Sequence, residues 1–220
     1  MNILPRNTAR RRRLAFTLQE LCVIAAILIV LLCVLGAAYS KKRQEQLRSR
    51  CAQNLKNVGL GFRIWATDSL NGFPTEYSTN DGGTREFTNV WQHFQALSNE
   101  LNTPGVLVCP GSDKKAAANF ESLQDKNISY FLALKTTEGT PQSFLAGDSG
   151  FALSTNKPRS NPLPITKDFG MIYPKTVHDG VGVICMGDGS VQQLSALRLN
   201  DFLASTGRWT LVTNVLLLPR

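Results

Sequence analysis

The apolar positions of this chain fall into two patterns that divide it near residue 74. Residues 21–39, LCVIAAILIVLLCVLGAAY, are 19 positions without a charge. At about 1.5 Å per residue, a helix of that length covers the roughly 30 Å of a membrane hydrocarbon core. After Ser40 the chain turns polar, yet Leu47, Cys51, Leu55, Val58, Phe62 and Trp65 recur at spacings of 4, 4, 3, 4 and 3. That is the stripe of an amphipathic helix. With no breaker between the two segments, one helix of roughly 50 residues is predicted, ended by Asp68, Asn71 and Gly72 ahead of Phe73-Pro74. Gly59 and Gly61 are expected to weaken its last turns.

Past Pro74 the period shortens. Residues 106–109, 128–134, 143–146, 171–173 and 181–186 read as strands bounded by Gly, Pro, Asn and Asp clusters. Residues 154–168 carry three prolines and read as a surface loop. Short helices are expected over 91–101 and 196–204. The predicted fold class is α+β, a long N-terminal helix whose second half packs on a small antiparallel sheet.

Charge adds a leader to this picture. The net charge of +8 invites a polyanion, but Arg6 and Arg10 to Arg13 supply five positive charges within the first fifteen residues, where no acid occurs. Removing those five leaves +3, and the remaining basic residues are dispersed without interleaved aromatics, so no nucleic-acid partner is expected. Hydrophobic residues are 43% and charged residues 18%, a composition that fits one globular domain behind an anchor. Cys22 and Cys33 lie in the apolar run and Cys51, Cys109 and Cys185 beyond it. No CxxC occurs, so neither a zinc ribbon nor a thioredoxin-like site is read from spacing. If the domain is exported, three cysteines allow one bridge, and Cys51 with Cys109 is the pairing we expect.

Glu20 separates the readings of the apolar run. A plain single-span anchor, or a secretory signal cut near Tyr39 with Gly36 and Ala38 as small residues, has no use for a carboxylate just inside the segment. Such a charge costs about 2.5–3.5 kcal/mol at a bilayer centre and calls for a partner.

The stretch Arg13-Leu14-Ala15-Phe16-Thr17-Leu18-Gln19-Glu20-Leu21 resembles the type IV prepilin signature, in which a basic leader ends in a small residue, Phe follows, and Glu stands fifth in the mature chain. Ala15 stands where that family usually has Gly. The resemblance implies cleavage between Ala15 and Phe16 by a prepilin peptidase, methylation of the new amine, and an assembly role for Glu20 against the amine of a neighbouring subunit. Cys51-Ala52-Gln53-Asn54-Leu55-Lys56, Asn71-Gly72-Phe73-Pro74, Val108-Cys109-Pro110, Leu145-Ala146-Gly147-Asp148, and His178 followed after nine residues by Asp188-Gly189 resemble a large pseudopilin subgroup.

That resemblance implies a pilin-like fold divided into a leader (1–15), a transmembrane helix (16–40), its amphipathic continuation (41–72) and a β-rich globular domain (73–220). It further implies a structural subunit of a type IV pilus or type II secretion pseudopilus. Its partners would be identical or related pilin subunits, the prepilin peptidase, membrane lipid, and an inner-membrane assembly platform with its ATPase. The location implied is the bacterial cytoplasmic membrane, single-pass, with the globular domain on the periplasmic side. The alternative is a single-span anchored exported enzyme or solute-binding domain.

Residues 178–191 read as an apolar strand, a Gly-Asp-Gly turn and a second strand. A metal on His178, Asp179 and Asp188 is disfavoured for calcium, which takes about six or more oxygen ligands. Calcium through Asp148 or the proline-rich loop is left open, and no other cofactor is expected. A hydrolase would draw on His178 with Asp188 and Ser190, but GxSxG is absent, as are a P-loop and a GxGxxG. No enzymatic activity is expected.

Overall fold

The computed structural model describes residues 17–69, 71–153, 160–165, 170–209 and 215–220. Ala15 and Phe16 lie outside them. A single helix, α1 (Leu18–Asp68, 51 residues), begins the described chain, which divides within it into two compact units, one ending at Lys42 and the other beginning at Arg43.

In the first unit every large apolar side chain from Leu18 to Leu35 is exposed. α1 is the one helix among the described residues long and apolar enough to cross a membrane. Its start is a capping box, a device that supplies partners for N–H groups the first turn leaves unbonded. The Thr17 backbone N–H donates to Glu20 Oε2 at 2.8 Å, the Thr17 hydroxyl donates to the same oxygen at 2.9 Å, and the Glu20 N–H donates to Thr17 Oγ1 at 3.3 Å.

In the second unit the amphipathic stripe is buried: Cys51, Leu55, Val58, Phe62, Trp65 and Ala66 form one wall of a core. The short helices α2 (Val90–Ala96) and α3 (Ser98–Leu101) follow. Among the described residues eight strands follow: β1 (Tyr130–Ala133), β2 (Phe144–Asp148), β3 (Ala152–Leu153), β4 (Leu163–Pro164), β5 (Met171–Ile172), β6 (Val181–Met186), β7 (Val191–Ser195) and, after helix α4 (Ala196–Trp209), β8 (Val215–Leu217). Six of them make a sheet in the order β4-β8-β1-β2-β6-β7, with every pairing antiparallel. β3 and β5 form a separate antiparallel pair. The fold is α+β.

The central strands are buried on both faces, which explains why β1 and β2 read as apolar runs rather than as alternating strands. Tyr130, Leu132, Val183 and Cys185 face the α1 core, whereas Phe131, Ala133, Ile184 and Met186 join a second core with Phe151, Tyr173 and Leu199 of α4.

The glycines expected to weaken α1 are close-approach points. A Cβ on Gly59 would lie 2.5 Å from Cys185 Sγ, and one on Gly61 3.0 Å from Leu101 Cδ2. Absence of a side chain lets the helix sit against the sheet there.

Several predicted elements differ. Residues 106–109 are not a strand: Pro104-Gly105, capped by Thr103 Oγ1 accepting from the Gly105 N–H at 3.4 Å, instead opens a 3-10 turn over Pro104–Leu107. The predicted helix over 91–101 breaks into α2 and α3 at Leu97. Inside the stretch read as a loop, Leu163–Pro164 is a strand, while residues 154–159 and 166–168 lie outside the described residues. The Asn161 amide holds the residue that follows β8, donating to the Leu218 carbonyl at 2.8 Å and accepting from the Leu218 N–H at 3.0 Å. β8 itself was not predicted.

Candidate functional site

Four side chains from four parts of the chain meet in the α1 core: Cys51, Cys109, Asp148 and His178 are all buried, and one ligand atom from each lies within 4.8 Å of the others. The local structure of each segment explains the meeting.

Cys51 belongs to the buried stripe of α1. Cys109 follows the 3-10 turn, and its segment is tied to α1 by Asn54 Nδ2 donating to the Val108 carbonyl at 2.9 Å. Asp148 ends β2, and its direction depends on an irregularity. Phe144 pairs with Met186, and Ala146 already pairs with Cys185, so Leu145 is an extra residue. Leu145 and Ala146 consequently both face the α1 core, and Gly147 turns toward the Phe131 ring, where a Cβ would meet Cζ at 2.8 Å. The bulge reverses the alternation, and Asp148 falls on the helix side, opposite Tyr130.

His178 sits in a turn of unusual backbone. His178, Asp179 and Gly180 have φ of 46°, 58° and 80°, three successive left-handed residues of which two carry side chains. Each non-glycine residue there costs on the order of 1 kcal/mol. This strained turn delivers the imidazole beneath Gly111, where a Cβ would lie 3.0 Å from His178 Cε1.

Within the cluster, His178 Nε2 lies 3.0 Å from Cys109 Sγ and 3.6 Å from Asp148 Oδ2. Cys51 Sγ donates to Asp148 Oδ1 at 3.3 Å and lies 3.4 Å from the Tyr130 hydroxyl. Backbone N–H groups complete the set, Val183 to Asp148 Oδ2 at 3.1 Å and Gly111 to Cys109 Sγ at 3.4 Å. The Tyr173 hydroxyl donates to the Asp148 carbonyl at 2.9 Å. His178 Nδ1 is buried without a hydrogen-bond partner.

These contacts set the protonation of the site. Burial, with the Cys109 charge adding to it, pushes the Asp148 carboxyl up to about 7. The neighbouring Cys109 sulfur and burial raise the Cys51 thiol, whereas Cys109 is lowered by its contacts with Cys51 and His178. Burial draws His178 down, but the Cys109 hydrogen bond and the Asp148 charge outweigh it and leave His178 raised. These directions favour negative charge on Cys109 and a proton on His178.

A thiol nucleophile relay would hold the thiol on one imidazole nitrogen and the acid on the other. Here Cys109 and Asp148 both crowd Nε2. The arrangement converges on a point instead of relaying a proton. A cleft of about 310 Å³ reaches Cys109 and Asp148, with Ser112, Lys114, Ser149 and Val177 among its walls.

The sequence pointed to part of this cluster. Cys51 and Cys109 are neighbours in it and both are free thiols. His178 belongs to it, but Asp188 and Gly189, singled out with His178, lie beyond the other end of β6, a strand of six residues or about 20 Å. Asp179 is exposed. The Asp188-Gly189 turn docks on α1 separately: Lys56 Nζ donates to the Gly189 carbonyl at 2.8 Å and Arg63 Nη1 to the Asp188 carbonyl at 3.0 Å. Asp188 Oδ1 accepts from the Ser190 N–H at 2.7 Å, and Gly189 has a φ of 76°, the turn geometry that Asp-Gly supplies.

Asp148 was not read as a partner of the cysteines, because its placement depends on a bulge the sequence does not announce. Tyr130 was missed as an ordinary aromatic of a buried strand. Thr17-Leu18-Gln19-Glu20 carries the T-x-x-E signature of a capping box, a signal that was available for Glu20. No known protein family, curated protein or solved structure matches this chain.

Proposed function

We propose that the chain is a membrane-anchored structural subunit of the pilin-like class, polymerised through the first half of α1 into a pilus or secretion pseudopilus. One observation carries this reading: from Leu18 to Leu35 the helix is apolar and exposed around its whole circumference, with a single carboxylate, Glu20, in its first turn. An all-round apolar helix needs lipid or other helices as neighbours. A carboxylate within it needs a cation, and the amine freed by cleavage before Phe16 on a neighbouring subunit is of the right charge and depth. The second half of α1 then serves as the spine on which the globular domain is folded, on the outer side of the membrane. Other copies or related subunits, the processing peptidase and the assembly platform with its ATPase are the partners in this reading.

The mature N-terminus tests it. N-methylated Phe16 is expected from mass spectrometry of protein isolated from its native membrane. Residue 39 at the N-terminus would mean conventional secretion, and an intact Met1 a plain anchor. Glu20→Gln separates the two roles open to Glu20, because Gln also closes a capping box. Normal processing with lost fibre incorporation is expected. Full incorporation of Glu20→Gln would reduce Glu20 to a cap.

A further inference from the structure

We propose that Cys51, Cys109, Asp148 and His178 form a tetrahedral site for a thiophilic divalent cation, Zn²⁺ foremost. Two sulfurs, one imidazole nitrogen and one carboxylate oxygen are a complete donor set for zinc, which takes four such ligands in closed structural sites at about 2.3 Å to sulfur and about 2.0–2.2 Å to nitrogen or oxygen. Those bond lengths require ligand atoms about 3.3–3.8 Å apart along the edges of the tetrahedron. Cys109 Sγ lies 3.0 Å and Asp148 Oδ2 3.6 Å from His178 Nε2, Cys51 Sγ lies 3.3 Å from the other carboxylate oxygen, Oδ1, and one ligand atom from each of the four residues lies within 4.8 Å of the others. Small movements bring all four onto one ion.

The chemistry of the donors selects among metals. Calcium and magnesium take oxygen ligands, and a site with two sulfurs and an imidazole turns away from both. Thiolate with imidazole suits zinc.

Several surrounding features fit a built site. The Tyr130 hydroxyl touches Cys51, the Gly111 N–H donates to Cys109, and the Val183 N–H donates to Asp148. These are the outer contacts that orient metal ligands. The left-handed backbone of His178 and Asp179 accompanies a ring whose Nε2, not Nδ1, meets Cys109 and Asp148. The cleft beside Cys109 and Asp148 gives an ion a way in. Bound there, the ion would join α1, the segment after the 3-10 turn, β2 and the turn before β6, so binding would stabilise the fold.

The test uses the full chain in detergent, isolated without chelator. About one zinc per chain is expected by elemental analysis, the count one four-ligand site holds. After chelation under reductant, added Co²⁺ should give a thiolate-to-metal charge-transfer band and the intense visible bands of tetrahedral cobalt, both abolished by Zn²⁺. Tyr130→Phe should weaken Co²⁺ binding about 10–100-fold. Cys51→Ser and Cys109→Ser should lose the charge-transfer intensity, and Cys185→Ser should keep it. If the two ligand variants fail to fold, the intensity in the unaltered chain still counts the thiolates. A folded wild-type chain that holds no zinc and gives no cobalt bands would overturn the proposal. So would a Cys51–Cys109 disulfide in protein isolated without reductant, or loss of the bands in Cys185→Ser.

Discussion

Replacing Gly59 by alanine sets two effects of opposite sign against each other. Glycine in a helix interior is about 1 kcal/mol less favourable than alanine, so on propensity alone Gly59→Ala would stabilise α1. But the new Cβ would stand 2.5 Å from Cys185 Sγ and 3.3 Å from Gly189 Cα, and Cys185 is fully buried on β6. Forcing a methyl group into a packed core costs about 1–3 kcal/mol. The clash wins, and Gly59→Ala should destabilise the protein by up to about 2 kcal/mol.

Cys185→Ala removes the obstructing sulfur, and in that background Gly59→Ala should become stabilising by up to about 1 kcal/mol. The coupling across the double-mutant cycle is then about 1–3 kcal/mol. Burial pushes the Cys185 thiol up to about 12, so the exchange alters packing and leaves charge untouched. Denaturant unfolding of the full chain in detergent, followed by tryptophan fluorescence to which the buried Trp65 contributes, measures all four corners. Equal effects of Gly59→Ala in both backgrounds would refute the reasoning that Cys185 Sγ is what excludes a side chain at position 59.

Three further outcomes can be checked with the same assay. His93 is buried, its ring nitrogens meeting the Thr84 hydroxyl at 2.8 Å and the Phe87 carbonyl at 3.3 Å, and burial depresses it from 6.5 to about 4. The folded state resists its protonation, so this contribution is complete above pH 6.5 and is lost as pH falls toward 4, by about 3 kcal/mol; His93→Gln should flatten that slope. Gly182→Ala should cost more than Gly59→Ala, because its Cβ would fall 2.0 Å from the Tyr173 ring, and any shift of Tyr173 disturbs its hydrogen bond to the Asp148 backbone. Asp188→Ala removes the acceptor for the Ser190 N–H and should cost about 1 kcal/mol, without changing the reactivity of Cys109 toward a thiol reagent.

How much was legible in the sequence depended on whether a signal was local. α1 was readable over nearly its whole length, since the uncharged run and the 4-4-3-4-3 stripe are both periodic and its stop at Asp68 is marked by turn residues. β6 and its turn were readable for the same reason. Residues 106–109 were misread because an apolar run after Pro-Gly fits a strand as well as a 3-10 turn. β4 and β8 escaped because each is short and is stabilised by the other rather than by its own pattern. In the cluster, Cys51, Cys109 and His178 stood out as residue types, but their meeting at Asp148 turns on one extra residue in β2, which shifts side chains across the sheet without any change in composition.

The nine residues between His178 and Asp188 amount to a ruler. His178 is tied to α1 through Asp148, which Cys51 hydrogen-bonds, and the Asp188-Gly189 turn is held against the same helix at Lys56 and Arg63. From Cys51 to Arg63 the helix advances twelve residues, about 18 Å; the six residues of β6, which lie between the two anchored turns, span about 20 Å. Strand and helix are cut to a common length, and neither can be altered alone. One residue inserted into β6 would leave an anchor without its counterpart and exchange the two faces of the strand at once, whereas a graft that transplants residues 51–63 together with 178–189 keeps both distances. In engineering terms those two segments are a single interchangeable part, though more than a hundred residues separate them.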